Sequence, residues 1–206
     1  MRARIRVMVA VSLAVAMLFG AGLVLAQEQG AQGDAATQKM MAAWQKYMTP
    51  GKFHEAMNYF AGDWEVVNTM WMTPGAEPQM WSGSATYKMI LGGRYLHGEF
   101  TGTLMEQPFH GYSIQGYDNY RKEYVTIWID NMGTGIYELR GQCDADCKVT
   151  TLSGVWDDPI NGGKSRVRDV TTIVDDNSFK MEMYQTGPDG KEYKSMEGMY
   201  TRKKKM

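Results

Sequence analysis

The sequence has little of what usually identifies a function directly. It contains two cysteines and three histidines in 206 residues, and His54, His97 and His110 do not show the spacing of metal ligands. Its 22 basic residues are balanced by 23 acidic ones, whereas a nucleic-acid-binding protein needs a basic stripe. Gly-x-Ser-x-Gly, phosphate-loop and dinucleotide-binding motifs are missing too. We therefore expect no nucleic-acid partner, and we predict no metal, cofactor or catalytic residue.

Long apolar runs are also missing, with one exception at the amino terminus. Three arginines in the first six residues precede Val7–Ala26, which carries no charge and ends in Val24-Leu25-Ala26. This pattern predicts a signal peptide over residues 1–26. The alternative is an uncleaved membrane anchor, because about twenty apolar residues can span a bilayer. Cleavage predicts an exported, mildly acidic protein of the periplasm or the extracellular space, without stable membrane insertion.

The next segment is typical of helices. Residues 27–38 have few groups that could build a core and are expected to form a flexible leader. Over residues 39–60, apolar residues recur at spacings of three and four, which predicts one or two short helices packing on the rest of the domain. His54 is expected on a polar helix face. The apolar positions are Met40, Met41, Trp44, Tyr47, Met48, Phe53, Met57 and Phe60.

Residues 61–206 are typical of strands. Ten alternating or β-branched-rich runs are separated by turn signals, one of them Gln107-Pro108. The runs leave no room for crossover helices, so they predict an antiparallel meander. Closure of such a sheet removes both exposed edges, and we predict a mainly β protein with a closed barrel of about ten strands. A two-sheet sandwich is the alternative. The runs are Trp64–Met72, Trp81–Leu91, Arg94–Met105, Gly111–Tyr117, Tyr124–Asp130, Gly135–Cys143, Lys148–Asp157, Ser165–Val174, Phe179–Thr186 and Glu192–Arg202.

Gly62-Asp63-Trp64 opens the first predicted strand, and Arg202 lies near the end of the last. The first and last strands of a closed meander are neighbours, so the guanidinium can stack on the tryptophan. The pair resembles the Gly-x-Trp and terminal-arginine pattern of the calycins, the superfamily of lipocalins and fatty-acid-binding proteins. The resemblance implies a structural role for Trp64 and Arg202, which would close the barrel floor.

A second resemblance covers residues 51 to 202. Five separated segments are similar, in the same order, to the bacterial family called domain of unknown function 1579. They are Phe60–Glu65, Ile90–Leu96, Gly116–Asn119, Trp128–Gly135 and Gly187–Glu192. The resemblance implies a calycin-like barrel, in agreement with the strand count, and it implies no established activity.

The two cysteines are predicted to form a disulfide. Cys143 and Cys147 lie four residues apart at the tip of a predicted hairpin. A metal site would need two further soft ligands nearby, and a redox motif has two intervening residues rather than three. An even cysteine count in an exported protein favours the disulfide.

One face of the third predicted strand supplies three candidate ligand-binding residues, Tyr95, His97 and Glu99. Leu96 and Phe100 occupy its other face. If the apolar face fills the barrel, the three polar side chains are solvated, as is usual for a half-buried strand. If the polar face points inward instead, the three side chains line a cavity.

Trp128, Asp130 and Asn131 are the other candidate ligand-binding residues. They precede Gly133 and Gly135, and the composition is typical of a tight turn. The alternative is that they lie at the barrel mouth and contact a ligand. Other charged strand residues, Asp169 among them, are expected mostly in ion pairs on the outer wall.

The predicted function is binding of a small hydrophobic or amphipathic molecule. Small barrels either fill their interior or hold one small ligand. The 18 methionines suit adaptable core packing and would equally suit a deformable cavity. Two alternatives stay open. One is an enzyme that uses the same cavity, with Asp130, His97 and Glu99 as candidate acid or base. The other is a structural or interaction domain with a filled barrel.

Overall fold

The computed structural model describes residues 35–158 and 162–204. The predicted signal peptide, residues 1–26, lies outside the described residues, and so does the predicted leader up to residue 34. The chain divides into two units, residues 1–48 and 49–206. Helix α1 (Ala35–Met48) is the described part of the first unit, and it begins four residues before the predicted helical segment. None of the described helices is long and apolar enough to cross a membrane.

The second unit begins with a short helix, α2 (Lys52–Ala56), and a 3-10 turn (Met57–Phe60). The described residues of this unit then form ten strands. They are β1 (Gly62–Met70), β2 (Gln79–Ile90), β3 (Tyr95–Leu104), β4 (Gln107–Asp118), β5 (Glu123–Asp130), β6 (Tyr137–Cys143), β7 (Val149–Asp157), β8 (Lys164–Asp175), β9 (Ser178–Thr186) and β10 (Glu192–Arg202).

The strands form one closed antiparallel barrel. Each pairs with its neighbours along the chain, and β1 pairs with β10 in a register that runs from Trp64 opposite Arg202 to Met70 opposite Met196. The predicted closed meander is confirmed, and the two-sheet sandwich is wrong. Closure gives every edge strand a partner, which removes the unpaired backbone groups that an open sheet would expose.

The turn between β3 and β4 differs from the prediction. Gln107-Pro108 belongs to β4, with Pro108 opposite Thr103, and the turn is made by Met105 and Glu106. Both turn residues have left-handed backbone angles, φ 49° and 63°, as a tight hairpin turn requires. The next strand pairs only from Gly111 onward, so Pro108 lies on a locally unpaired edge, where proline is tolerated.

One end of the barrel, the floor, is closed by α2 and the 3-10 turn. Phe53 stacks on Tyr117 with ring centroids 4.3 Å apart, and Phe60 meets Phe179 at 5.0 Å. Met57 is buried between them and the barrel wall. These contacts involve the end of β4 and the start of β9, which lie at the same end of the barrel as the start of β1.

The predicted barrel-closing pair is confirmed at the floor. The Arg202 guanidinium lies 4.1 Å from the centre of the fully buried Trp64 ring. The guanidinium also donates to the carbonyl oxygens of Ala61 and Tyr59, at 2.8 and 2.6 Å. Gly62 leaves room for it, since a Cβ there would meet Arg202 Nη1 at 3.0 Å. One side chain therefore ties the last strand to the segment before the first.

His54 does not lie on a polar helix face, as the sequence predicted, but is 5% exposed. Its Nδ1 accepts the Gly51 amide hydrogen at 3.1 Å, and its ring meets Tyr117 edge to face. Burial lowers the pKa of the His54 imidazole. The helix is so short that most of its circumference faces the barrel, which is why helical periodicity misplaced this residue.

Candidate functional site

We call the end of the barrel opposite the floor the mouth, and none of the described helices of the second unit covers it. Five aromatic side chains on its strand ends are half-buried: Trp81, Trp128, Tyr137, Trp156 and Tyr193. Loops 71–78, 131–136 and 187–191 surround it. Apolar rings at the end of a barrel stay partly in water unless something covers them.

Four aromatic rings form a continuous wall from the mouth into the lumen. The Trp81 centroid lies 5.4 Å from Phe100 and 5.3 Å from Phe109, and Phe109 lies 6.3 Å from Trp128. A Cβ at Gly111 would lie 2.3 Å from the Trp128 ring, so only glycine lets the indole lie flat there. We call Trp81, Phe100, Phe109 and Trp128 the aromatic wall.

Some inward-facing positions of the barrel are only half-buried. Tyr87 of β2 and Met181 and Met183 of β9 are three of them. Burial raises the pKa of the Tyr87 hydroxyl to about 12. The intermediate exposure of these residues contrasts with the burial of Phe100 and Phe179, which face the same interior.

Three buried polar atoms have no hydrogen-bond partner among the described residues. They are Asn68 Nδ2, Trp81 Nε1 and Thr126 Oγ1. Each lies on an inward-facing position of its strand, and Asn68 is 2% exposed. An unpaired buried polar group costs about 1–3 kcal/mol, so each of these atoms is a local cost to the stability of the barrel.

A carboxylate, Asp169, lies inside the barrel, and the sequence analysis did not identify it. It was expected on the outer wall, but alternation along β8 sends Arg168 outward to Glu192 and Asp169 inward, where it is 8% exposed. Thr171 Oγ1 donates to Asp169 Oδ1 at 3.2 Å. Burial raises the pKa of Asp169 to about 7. The signal that could have identified it is its place on the same face of the strand as Val167.

The hydroxyl groups of Tyr87 and Tyr200 are the titratable groups that interact with Asp169 inside the barrel. The two hydroxyls share a hydrogen bond. Burial is the main cause that raises both pKa values, and the Asp169 charge adds to it. Both tyrosines are therefore neutral at physiological pH and act as polar, uncharged groups.

Of the predicted site residues, Trp128 and Asp130 lie at the mouth and Asn131 follows them in the turn. Trp128 Nε1 donates to Asp130 Oδ2 at 2.7 Å, and Asp130 Oδ1 accepts the Met132 amide hydrogen at 2.9 Å. Asn131 connects the end of β5 to the start of β4, because its Oδ1 accepts the His110 amide hydrogen and its Nδ2 donates to the Pro108 carbonyl. The turn interpretation accounts for the two polar side chains, and the ring of Trp128 belongs to the aromatic wall.

Tyr95, His97 and Glu99 lie on the outer wall of β3, while Leu96 and Phe100 fill the interior. The strand has thus adopted the first of the two predicted orientations. Glu99 Oε1 pairs with His110 Nε2 at 2.9 Å. His97 borders a shallow outer groove of about 250 Å³, lined also by Tyr112, Ser113, Ile114, Ile127 and Ile129. Asp130 is on the other side of the wall, so the structure does not gather the three candidate acid–base groups.

The predicted disulfide between Cys143 and Cys147 is present, with Cα atoms 4.9 Å apart. It lies at the floor end, where the Tyr124 hydroxyl donates to the Phe53 carbonyl and lies 3.9 Å from Cys147 Sγ. The disulfide is therefore remote from the mouth.

Several solved structures are similar to this chain at low sequence identity. The crystal structure of Rv2717c from M. tuberculosis has a TM-score of 0.56 at 9% identity, over 76% of this chain and 100% of that one. A redesigned beta barrel, mFAP0, bound to DFHBI, has a TM-score of 0.39 at 13% identity, over 70% of this chain and 99% of that one. Another redesigned beta barrel has a TM-score of 0.38 at 16% identity, over 72% and 96%. The likeness to Rv2717c concerns the fold alone.

The sequence itself places the chain in a family. No curated protein matches it at a significant level. The model of a family described as protein of unknown function, DUF1579, matches residues 49–202, which is most of the chain and the whole barrel, and the chain belongs to this family.

Proposed function

We propose that this protein binds one small apolar or amphipathic molecule in the lumen and admits it through the mouth. The observation that carries the proposal is that Tyr87, Met181 and Met183 are only half-buried although they occupy inward-facing positions. Protein interiors are close-packed, so a barrel filled by its own side chains would bury these positions completely. Small barrels of this kind that are not filled hold a single small ligand.

The chemistry of the lumen supports an amphipathic guest. Binding pockets are mostly apolar with a few placed polar groups, and the aromatic wall faces a lumen that contains Asn68 and Asp169. Met181 and Met183 add flexible thioether surface, which adapts to the shape of a guest. The rings of Trp81 and Trp128 lie on the route from the mouth.

We further propose that the protein acts outside the cytoplasm, after removal of residues 1–26. The disulfide between Cys143 and Cys147 supports this, because disulfides persist in oxidising compartments. The test is the amino-terminal sequence of the protein recovered from cell fractions. A chain that begins at Gln27 in an extracytoplasmic fraction is expected, and a cytoplasmic chain that keeps Met1 would contradict export.

Titration with a neutral hydrophobic dye such as Nile red tests the binding proposal. We expect saturable dye fluorescence and quenching of tryptophan emission at micromolar affinity, about −8 kcal/mol. Trp128 is the favoured reporter, so Trp128→Phe is expected to lose most of the quenching while the dye still binds. Quenching that never saturates would contradict a defined site.

A matched pair of variants separates the lumen from the outer surface. Met183→Phe adds volume to the lumen, whereas Met199→Phe makes the same change on the exposed face of the neighbouring strand. We expect Met183→Phe to weaken dye binding at least tenfold, roughly 1.4 kcal/mol, and Met199→Phe to leave it unchanged. Equal affinity in both variants would place the dye elsewhere, for example in the outer groove, and would overturn the proposal.

A further inference from the structure

We infer that the lumen selects an amphipathic cation, a protonated amine on an apolar body, whose ammonium group is received by Asp169. The inference rests on the proposed function and adds the chemical class of the ligand. It stands on the position of one buried carboxylate, on the absence of an ion pair between it and any cation of the described residues, and on an amide that lacks a hydrogen bond in the same part of the interior.

The carboxylate of Asp169 is set among apolar side chains. On the inner wall its strand neighbours are Met183 of β9 and Leu152 of β7, and Met183 is followed in register by Met196 of β10. Among residues 35–158 and 162–204, no Lys, Arg or His forms an ion pair with Asp169. A buried ionised carboxylate without a counter-charge carries a large desolvation cost. An entering cation would offset this cost, which no described side chain offsets through an ion pair.

A second polar group faces the same space. Asn68, Gly198, Met181 and Thr171 follow one another in register across four adjacent strands, and Thr171 donates to Asp169. Gly198 has no side chain, and a Cβ there would meet Asn68 Oδ1 at 2.8 Å. Gly198 therefore leaves room for the Asn68 side chain and for the Tyr200 ring, which a Cβ would meet at 3.0 Å. Asn68 Nδ2 has no hydrogen-bond partner among the described residues, and we assign the oxygen of the same amide as the acceptor for a second N–H of the ammonium group.

The other groups around Asp169 do not compete for the cation. The titratable side chains that interact with it are Tyr87 of β2 and Tyr200 of β10, and both stay neutral because burial raises their pKa values. Met183 and Leu152 do not titrate. A fatty acid would place a second negative charge beside Asp169 and could enter only with one of the two carboxyl groups protonated. The lumen should therefore prefer an amine to an alcohol, and an alcohol to a carboxylate, on the same chain.

Three probes with one alkyl chain test the order: octylamine, octan-1-ol and octanoate, measured by calorimetry at about pH 8, where the amine is protonated and Asp169 is mostly ionised. We expect the amine to bind at least about tenfold more tightly than the alcohol and octanoate to bind most weakly. At about pH 5, where Asp169 is protonated, the preference for the amine should fall at least about fivefold. Near pH 7, amine binding should release protons, seen as a dependence of the heat on the buffer.

Asp169→Asn keeps the shape and removes the charge, and Asp157→Asn makes the same change at an exposed position whose side chain is 85% accessible. Asp169→Asn should abolish the preference for the amine and keep alcohol binding, while Asp157→Asn should behave like the parent protein. Equal amine and alcohol affinities in the parent protein, or a preference that survives Asp169→Asn, would overturn this inference while leaving lumen binding intact. Binding of none of the three probes would overturn the lumen site itself and this inference with it. If Asp169→Asn does not fold, the release of protons on amine binding tests this inference on the parent protein alone.

Discussion

The floor and the mouth of this barrel are built from the same kinds of side chain. They differ in how completely these side chains are buried and hydrogen-bonded. At the floor, Trp64 is fully buried, its Nε1 donates to the Phe60 carbonyl at 2.8 Å, and Arg202 covers its ring. At the mouth, Trp81 and Trp156 are half-buried, and Trp81 Nε1 has no hydrogen-bond partner among the described residues. The difference indicates that the floor contributes more to stability than the mouth, which is the end through which we propose that a guest enters.

The largest expected effect compares a tryptophan from each end. Trp64→Ala should lower the free energy of unfolding by about 3–5 kcal/mol, because it leaves a cavity in a closed core. Trp156→Ala at the mouth should cost only about 1–2 kcal/mol, since its ring is already partly in water and meets one aromatic neighbour, Tyr137, at 5.2 Å. Urea unfolding followed by circular dichroism measures both. Equal losses would mean that the two ends contribute alike to stability.

The next effect concerns the pH dependence of stability through Asp169. Its pKa is raised by burial from 3.8 to about 7, so the folded state holds a proton that the unfolded state releases. The free energy of unfolding should therefore fall as the pH rises from about 4 to 7, by about 2–4 kcal/mol, and Asp169→Asn should remove this decline. Above about pH 7, Asp169→Asn should be more stable than the parent protein.

Chemical denaturation at a series of pH values, with Asp157→Asn as the exposed control, measures this contribution. His54 acts in the opposite direction, because its lowered pKa makes stability fall as the pH drops below about 6.5. Its contribution is common to the parent protein and the variant, and it cancels in their difference. A parent protein and an Asp169→Asn variant with parallel pH profiles would show that Asp169 is not buried in an ionisable state.

Arg202→Ala should destabilise the floor by about 1–2 kcal/mol through lost stacking on Trp64 and lost donation to two carbonyl groups. Arg166→Ala, at an exposed position of β8, is the matched control and should stay within about 0.5 kcal/mol of the parent. Melting temperature and Trp64 emission report the change. If both are unchanged in Arg202→Ala, the guanidinium does not cover the indole.

The smallest effect belongs to the disulfide, which closes a loop of few residues and therefore constrains the unfolded chain little. Reduction should lower the free energy of unfolding by about 1–2 kcal/mol. Protein recovered from an oxidising compartment should show no thiol in a titration under denaturing conditions. The double variant Cys143→Ser, Cys147→Ser should be insensitive to reductant, and two titratable thiols in the parent would contradict the pairing.

More of the floor than of the mouth could be predicted from the sequence. Local patterns identify Gly62-Asp63-Trp64, Arg202 and the cysteine pair, and the structure brings each to its expected partner. The mouth was predicted only in part. Trp128 and Asp130 lie at the mouth, and their contact with a ligand stays a prediction, while Asp130 and Asn131 use their polar atoms in the turn. Asp169 was placed on the wrong side of the wall.

The sequence by itself determined the closed meander, because consecutive alternating runs without crossover segments leave an antiparallel barrel as the arrangement that pairs every strand edge. It also determined the hairpin disulfide, which depends on residues four positions apart. Only the tertiary structure decided that Asp169 faces the interior with no ion pair among the described residues and that Asn68 lies on the same inner wall, because both depend on residues from four adjacent strands. Alternation along the sequence indicates which residues share a face of a strand. The closure of the barrel decides which face is enclosed and which side chains of other strands it contacts.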